Sequence, residues 1–118
     1  MPWGIVTNKA ERFTFPLLRL MGLAGRAGCI ICGDTTPHTK PHPAPMHAAA
    51  SAIARPAQHC VYLGDDERDM LAGRAAGMRV VAVNYGYLGN GKPPSEWPAD
   101  HWIDHPRELF PILDRLAS

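Results

Sequence analysis

The run Cys60-Val61-Tyr62-Leu63-Gly64-Asp65-Asp66-Glu67-Arg68-Asp69, continued through Met70 to Gly77 and closed by Arg79-Val80-Val81-Ala82-Val83, decides the fold. It opens with a short apolar run and turns through a cluster of acids. It then reads as a helix from about Glu67 to Ala76, stopped by Gly77, and ends in a second apolar run. Both apolar runs are continuous rather than alternating, the pattern of strands covered on both faces. A strand–helix–strand unit of this kind makes a parallel pair with a right-handed crossover.

The same grammar holds on either side. Upstream, Gly4-Ile5-Val6-Thr7 and Cys29-Ile30-Ile31-Cys32 read as strands. Between them, Ala10 to Met21 carries Phe13, Leu17, Leu20 and Met21 at helical spacing, with Gly22 as the stop. Pro16 inside that stretch predicts a late start or a kink. A further helix is expected from about Pro43 to Ala54, with its prolines in the first turn. Downstream, His101-Trp102-Ile103 is a candidate edge strand. Pro106 to Ala117 presents Leu109, Ile112, Leu113 and Leu116 on one helical stripe. Tyr85 to Asp100, holding Pro93, Pro94 and Pro98, reads as a surface loop. Strands alternating with helices predict an α/β fold with a parallel, Rossmann-like three-layer core, in one domain over residues 1–118.

Composition narrows the function. The 118 residues are 46% hydrophobic and 19% charged, a globular mix rather than a disordered one. Twelve Lys and Arg against eleven Asp and Glu leave a net charge of +1. That balance supports neither a nucleic-acid partner nor a polybasic membrane anchor. No apolar run approaches the roughly 20 residues of a membrane span. The first residues lack the pattern of a secretion signal, so a cytoplasmic protein is expected. Three cysteines suit a reducing compartment. Cys29 and Cys32 form a C-x-x-C without the second pair that a structural zinc needs, and they read as buried thiols. The six histidines, His38 and His42 flanking Lys40 among them, show no zinc spacing, and surface or capping roles are expected for all six.

In an open parallel sheet, ligands bind beyond the carboxyl ends of the strands. Those ends here carry Thr7-Asn8-Lys9, Gly33-Asp34, Gly64-Asp65-Asp66 and Asn84. Asp65 closes a strand and Asp69 follows in the first turn of the next helix. Carboxylates so placed suit Mg²⁺, although acids also favour a helix N-terminus for its dipole and free N–H groups. Lys40, in the proline-stiffened Lys40-Pro41-His42-Pro43, can act as a point charge against a phosphate or carboxylate. Thr7-Asn8 offers a hydroxyl and amide donors at a strand-to-helix junction, apt for phosphate oxygens or for an ordinary helix cap.

Taken in order, Val6-Thr7-Asn8-Lys9, Lys40-Pro41-His42-Pro43 and Gly64-Asp65-Asp66-Glu67-Arg68-Asp69 with its following helix resemble the haloacid-dehalogenase-like phosphatases, the phosphoglycolate phosphatase group above all. The resemblance runs from Trp3 to Leu113. Tyr85-Gly86-Tyr87, Trp97, Asp104-His105-Pro106 and Glu108-Leu109 are also similar to the N-acetylmuramic acid 6-phosphate phosphatases. The resemblance implies catalytic and phosphate-binding roles for Thr7 and Lys40, with the Asn8 backbone amide assisting. It implies Mg²⁺ as cofactor, bound directly by Asp65, with Asp69 holding the metal's water shell or the lysine. Asp66 matches no role. The substrate of the complete enzyme is expected to be a small phosphorylated metabolite.

The D-x-D-G-T signature that carries this family's nucleophilic aspartate does not occur in the sequence. The first strand and the cap domain of the family pattern are likewise not found. The chain therefore resembles the C-terminal half of such an enzyme. It is expected to be inactive alone, as an enzyme fragment or as a non-catalytic phosphate- and Mg²⁺-binding module. A receiver-like phosphoacceptor fits less well, because receivers place the acid pair early and the lysine last. The family's missing strand lies between the strands equivalent to 4–7 and 60–64. Each buried, unpaired backbone group there costs about 1–3 kcal/mol. The two neighbours are therefore expected to pair directly, to self-associate with a second copy, or to recruit a strand from another chain.

Overall fold

In the computed structural model, residues 3–22, 25, 27–84, 93–109 and 111–112 are described. Among the described residues, five strands and three α-helices follow in the order β1 (Ile5–Val6), α1 (Glu11–Leu20), β2 (Ile30–Ile31), α2 (Ala44–Ala52), β3 (Val61–Gly64), α3 (Glu67–Ala75), β4 (Arg79–Val83) and β5 (His101–Ile103). Every pairing is parallel. β1 lies beside β2 with Ile5 opposite Ile30, and β3-β4-β5 form a second sheet with Val61 opposite Arg79 and Val81 opposite His101. β4 is central there, and its residues alternate between two cores. Val80 and Ala82 pack with Met70 and Trp97, while Val81 and Val83 pack with Ile103 and Ile112. A central parallel strand must be apolar on both faces, and the run Val80 to Val83 meets that demand.

The helices keep their expected places with informative departures. Gly77, at φ +87°, closes α3 in the left-handed conformation that glycine adopts without penalty. α1 starts at Glu11 and runs through Pro16, so the expected late start does not occur. Pro16 is exposed, and the carbonyl it leaves without a partner belongs to exposed Arg12, where water can satisfy it. The apolar residues of α1 face outward: Leu20 is 88% exposed, with Phe13, Leu17 and Met21 also exposed, and the buried positions are Thr14 and Leu18. At the end of the described chain, Pro106–Glu108 is a 3-10 turn and helix resumes at 109, 111 and 112. The remainder of the helix expected to Ala117, with Leu113 and Leu116, lies outside the described residues, as do Tyr85-Gly86-Tyr87. A 3-10 turn at Pro94–Glu96 occupies part of the expected loop.

The expected direct pairing of β1 with β3 is not made, because the two strands belong to separate sheets. An apolar groove of about 510 Å³ runs between them, floored by Met46, Ala50 and Met78. Its presence explains the burial of the thiols. Cys32 is 1% exposed, whereas Cys29 and Cys60 line the groove and are only half-buried. Leu63, on the β3 side of the groove, is exposed.

Candidate functional site

At the carboxyl ends of β1 and β3, a cavity of about 370 Å³ is lined by Thr7, Lys40, Tyr62, Gly64, Asp65 and Asp69, among others. The spatial convergence expected of Thr7, Lys40, Asp65 and Asp69 is therefore present. Thr7 follows β1 and Asp65 follows β3, and these residues, 58 positions apart in the chain, meet at one rim.

Lys40 is the hub. Its ammonium donates to Asp69 Oδ1 at 2.5 Å, to the Tyr62 hydroxyl oxygen at 2.9 Å and to the Val6 carbonyl at 3.4 Å. Its side chain is only 9% exposed. Nζ lies 5.5 Å from the Tyr62 ring centroid yet 2.9 Å from the hydroxyl, which puts it off the hydroxyl edge rather than above the ring face. The contact is a hydrogen bond, not a cation–π stack. The backbone of Lys40 is held as firmly as its head. Asn8 accepts the Lys40 N–H through Oδ1 at 3.0 Å and donates through Nδ2 to the Lys40 carbonyl at 3.2 Å. On either side of Lys40 stand His38 and His42, a stacked pair with ring centroids 4.1 Å apart, and His42 Nδ1 accepts the Ala44 N–H at the start of α2. The capping role expected of these histidines is met at His42.

The acid cluster divides into three jobs. Asp66 is the N-cap of α3, accepting the Arg68 N–H at 2.9 Å and also pairing with the Arg68 side chain. Its partial burial works against the charge. The Arg68 hydrogen bonds and charge outweigh that and hold the Asp66 carboxyl below its ordinary value. Asp69 turns inward. Oδ2 accepts the Asp65 and Asp66 N–H groups, which completes a capping box, and Oδ1 accepts from Lys40 and from the Tyr62 hydroxyl. Those four bonds engage the roughly four lone-pair sites of the carboxylate. Of its two expected roles, the metal's water shell and the lysine, Asp69 is bonded here to the lysine. Asp65 is different: it is exposed at the cavity rim, and among the described residues no donor is bonded to its carboxylate. Gly64 allows this packing, since a Cβ there would lie 2.4 Å from Asp69 Cβ.

Thr7 accepts the Lys9 N–H on Oγ1 at 3.1 Å, which leaves its hydroxyl proton free to donate into the cavity. Other strand-end polar groups do not join the site. Asp34 caps α1 by accepting the Glu11 N–H, and Asn84 donates to Asp104. Tyr62 was not visible as a site residue in the sequence. Burial, reinforced by the neighbouring Asp69 and Asp65 carboxylates, pushes its hydroxyl pKa strongly upward, so it stays protonated. The one signal for it was a polar tip within an otherwise apolar strand.

The donor set at the rim is oxygen-only, with one free carboxylate, and this fits Mg²⁺, which takes one or two protein carboxylates and retains water. Among the described residues, no three His, Cys, Asp or Glu side chains converge on a single metal position. Among them too, no helix is long and apolar enough to cross a membrane.

Comparison with known proteins points the same way. Residues 1–83 match the model of the haloacid dehalogenase-like hydrolases. The N-acetylmuramic acid 6-phosphate phosphatase of Pseudomonas aeruginosa is 42% identical over 113 residues, 96% of this chain and 50% of that protein. A phosphoglycolate phosphatase of Xanthomonas campestris is 46% identical over 108 residues, 92% of this chain and 49% of that protein. Among solved structures, a predicted phosphoglycolate phosphatase from Haemophilus somnus superposes with a TM-score of 0.85 at 28% identity, covering 94% of this chain and 49% of that one. The chain thus spans about half the length of the relatives it matches. With its parallel strands, its rim of Thr7, Lys40 and Asp65 and this match over residues 1–83, the chain belongs to the haloacid dehalogenase-like hydrolases.

Proposed function

We propose that residues 1–118 form one domain carrying part of the phosphoryl-transfer site of a cytoplasmic, Mg²⁺-dependent phosphomonoesterase of the phosphoglycolate phosphatase kind. The observation that carries this reading is the convergence of Thr7, Lys40, Asp65 and Asp69 on one cavity. Phosphoryl transfer is catalysed mainly by positioning and by electrostatic stabilisation of the transferring group. The Thr7 hydroxyl donates to a phosphoryl oxygen, and the Asn8 backbone amide assists. The Lys40 ammonium offsets negative charge on the phosphate. Asp69 positions Lys40 and, through the Asp65 and Asp66 amides, the turn that presents Asp65. Asp65 holds Mg²⁺ at the rim, where a bound divalent ion supplies charge neutralisation for the phosphate. The three free thiols suit a reducing compartment.

The nucleophile comes from outside this chain's elements, because no D-x-D-G-T acceptor is present in it. The chain alone therefore binds phosphate without turning over an ester. The 42% identity to the Pseudomonas aeruginosa protein favours a phosphorylated amino sugar as a second substrate reading beside phosphoglycolate. Calorimetric titration of the chain with inorganic phosphate, with and without MgCl₂, tests the site. Phosphate is expected to bind more tightly with Mg²⁺, and Asp65→Asn to remove the enhancement while leaving the fold intact. Robust hydrolysis of a generic phosphate ester by the purified chain, abolished by Asp65→Asn, would overturn the claim of inactivity. A phosphate affinity indifferent to both Mg²⁺ and Asp65→Asn would overturn the site.

A further inference from the structure

Lys40 reaches the cavity from a stretch with no strand or helix of its own. Residues 32–43, between β2 and α2, run through turns and bends, so no ladder or helical turn fixes the Lys40 backbone. Asn8 supplies that fixing from the end of β1. Its carboxamide accepts the Lys40 N–H at 3.0 Å and donates to the Lys40 carbonyl at 3.2 Å. Both backbone groups of one residue are thus served at once, as a paired strand would serve them. The residue type matters here. A carboxamide carries an acceptor and a donor side by side, whereas an ionised aspartate of the same size offers acceptors only. Asn8 is itself held through its backbone. The Gly33 N–H donates to the Lys9 carbonyl at 2.9 Å, and a Cβ at Gly33 would collide with the Asn8 carbonyl oxygen. Glycine therefore lets the chain after β2 lie directly against the Asn8 peptide. On the near side, Thr7 Oγ1 accepts the Lys9 N–H and closes the same turn.

We propose that the Asn8 side chain is a positioning group of the phosphoryl site: it joins the Thr7 hydroxyl and the Asn8 N–H to Lys40 as one unit, so that a phosphate meets all three donors at a fixed spacing. This deepens the phosphatase reading and rests on it. The bonds at the Lys40 head do not achieve this by themselves. A lysine ammonium sits on a flexible four-carbon stem, and on a loose backbone it can stay bonded to Asp69 while its other protons turn elsewhere. The Asn8 clamp fixes that stem at its root. Donors set in place before the ligand arrives spare the ordering cost that loose donors incur on binding. Coupling between groups that do not touch is the consequence. Once either Thr7 or Lys40 lets go, the phosphate shifts and the other grips it less well, so the losses from removing each overlap. Without the clamp the two groups act independently, and their losses accumulate in full.

Calorimetric titration with inorganic phosphate in MgCl₂ reads the effect. We expect Asn8→Ala to weaken phosphate binding about tenfold and to leave the affinity for Mg²⁺ alone unchanged, because Asp65 stands on the separate turn between β3 and α3. Asn8→Leu keeps the bulk and loses both bonds, and it should match Asn8→Ala. In the native chain the Thr7→Val and Lys40→Met losses should overlap by about tenfold in the double variant; in the Asn8→Ala background they should multiply. The native chain also gives a reading that needs no substitution at position 8. Phosphate should slow hydrogen exchange of the Lys40 backbone amide, whose partner is Asn8, and Thr7→Val should remove most of that slowing. Phosphate affinity equal in the native chain, Asn8→Ala and Asn8→Leu overturns the proposal. So does a loss of Mg²⁺ affinity as large as the loss for phosphate, which marks Asn8 as a support of the fold alone. Thr7→Val and Lys40→Met losses that already multiply in the native chain, or Lys40 exchange indifferent to phosphate, overturn it as well. No phosphate binding by the native chain refutes the phosphatase reading itself, and the proposal falls with it.

Discussion

The bond between Lys40 and Asp69 predicts an asymmetry that unfolding can measure. Both groups are nearly buried, with side-chain exposures of 9% and 8%. Removing one member of a buried ion pair costs about 3–5 kcal/mol, because the other charge is left uncompensated. The two members are not equivalent, however. In Lys40→Met, Asp69 keeps the Asp65 and Asp66 N–H groups, the Tyr62 hydroxyl and a place in the first turn of α3, where the helix dipole favours an anion. In Asp69→Asn, Lys40 loses its carboxylate partner, and the one remaining side-chain oxygen serves either Lys40 or the Asp65 and Asp66 N–H groups, so the capping box is weakened as well, a loss of about 1 kcal/mol. Asp69→Asn should therefore fall near 4–5 kcal/mol and Lys40→Met nearer 2–3 kcal/mol. Against a domain's total of about 5–15 kcal/mol, both are visible in urea unfolding. The double variant should be more stable than the sum of the two losses implies, since it buries no unpaired charge. Equal losses, or a larger loss for Lys40→Met, would refute the idea that Asp69 is held from several sides and Lys40 chiefly by Asp69.

Further outcomes follow from neighbouring residues. Tyr62 has its pKa raised on folding, so its contribution is full below the unfolded value of about 10 and is lost as pH rises through the higher folded value. Stability should fall above pH 10 by up to about 1.4 kcal/mol per pH unit from this group, and Tyr62→Phe should flatten that limb; an unchanged limb refutes the burial of the hydroxyl. Gly64→Ala would bring a Cβ to 2.4 Å from Asp69 Cβ, so it should destabilise by about 1–3 kcal/mol and weaken Mg²⁺-dependent phosphate binding in the same calorimetric titration. Asp66→Ala removes the α3 cap and should cost about 1 kcal/mol in urea with phosphate binding retained, which separates the cap from the site.

How much of this was legible in the sequence depends on whether local pattern or spatial convergence decides it. β4 and β5 fall on Arg79–Val83 and His101–Ile103 as expected, because each is an apolar run bounded by polar residues or turn formers. β1 and β2 shrink to two residues each, since a strand without a partner on one side keeps only the part its other neighbour supports. The outward face of α1 was not legible. Phe13, Leu17, Leu20 and Met21 have helical spacing, but spacing shows only that they share a face, not what covers it. At the site, residue types and strand ends located Thr7, Lys40 and Asp65. The division of labour among Asp65, Asp66 and Asp69 depends on which carboxylate turns inward, and a run of acids in one turn carries no mark of that. The Asn8 clamp on the Lys40 backbone joins residues 32 apart, which no local pattern foretells.

Charge around the cavity explains why these parts act together. Lys40 and Asp69 neutralise one another at hydrogen-bonding distance, so the formal charge left facing the cavity is the Asp65 carboxylate. A phosphate dianion approaching that rim meets repulsion from Asp65 and, while all three Lys40 protons are engaged, no free ammonium proton. One change reverses the sign. Under the proposed function, a divalent cation at Asp65 would turn the rim from anionic to cationic. A site built so that its own residues satisfy one another when unfilled avoids an unpaired buried ammonium, which would be costly in a fold whose groove is open.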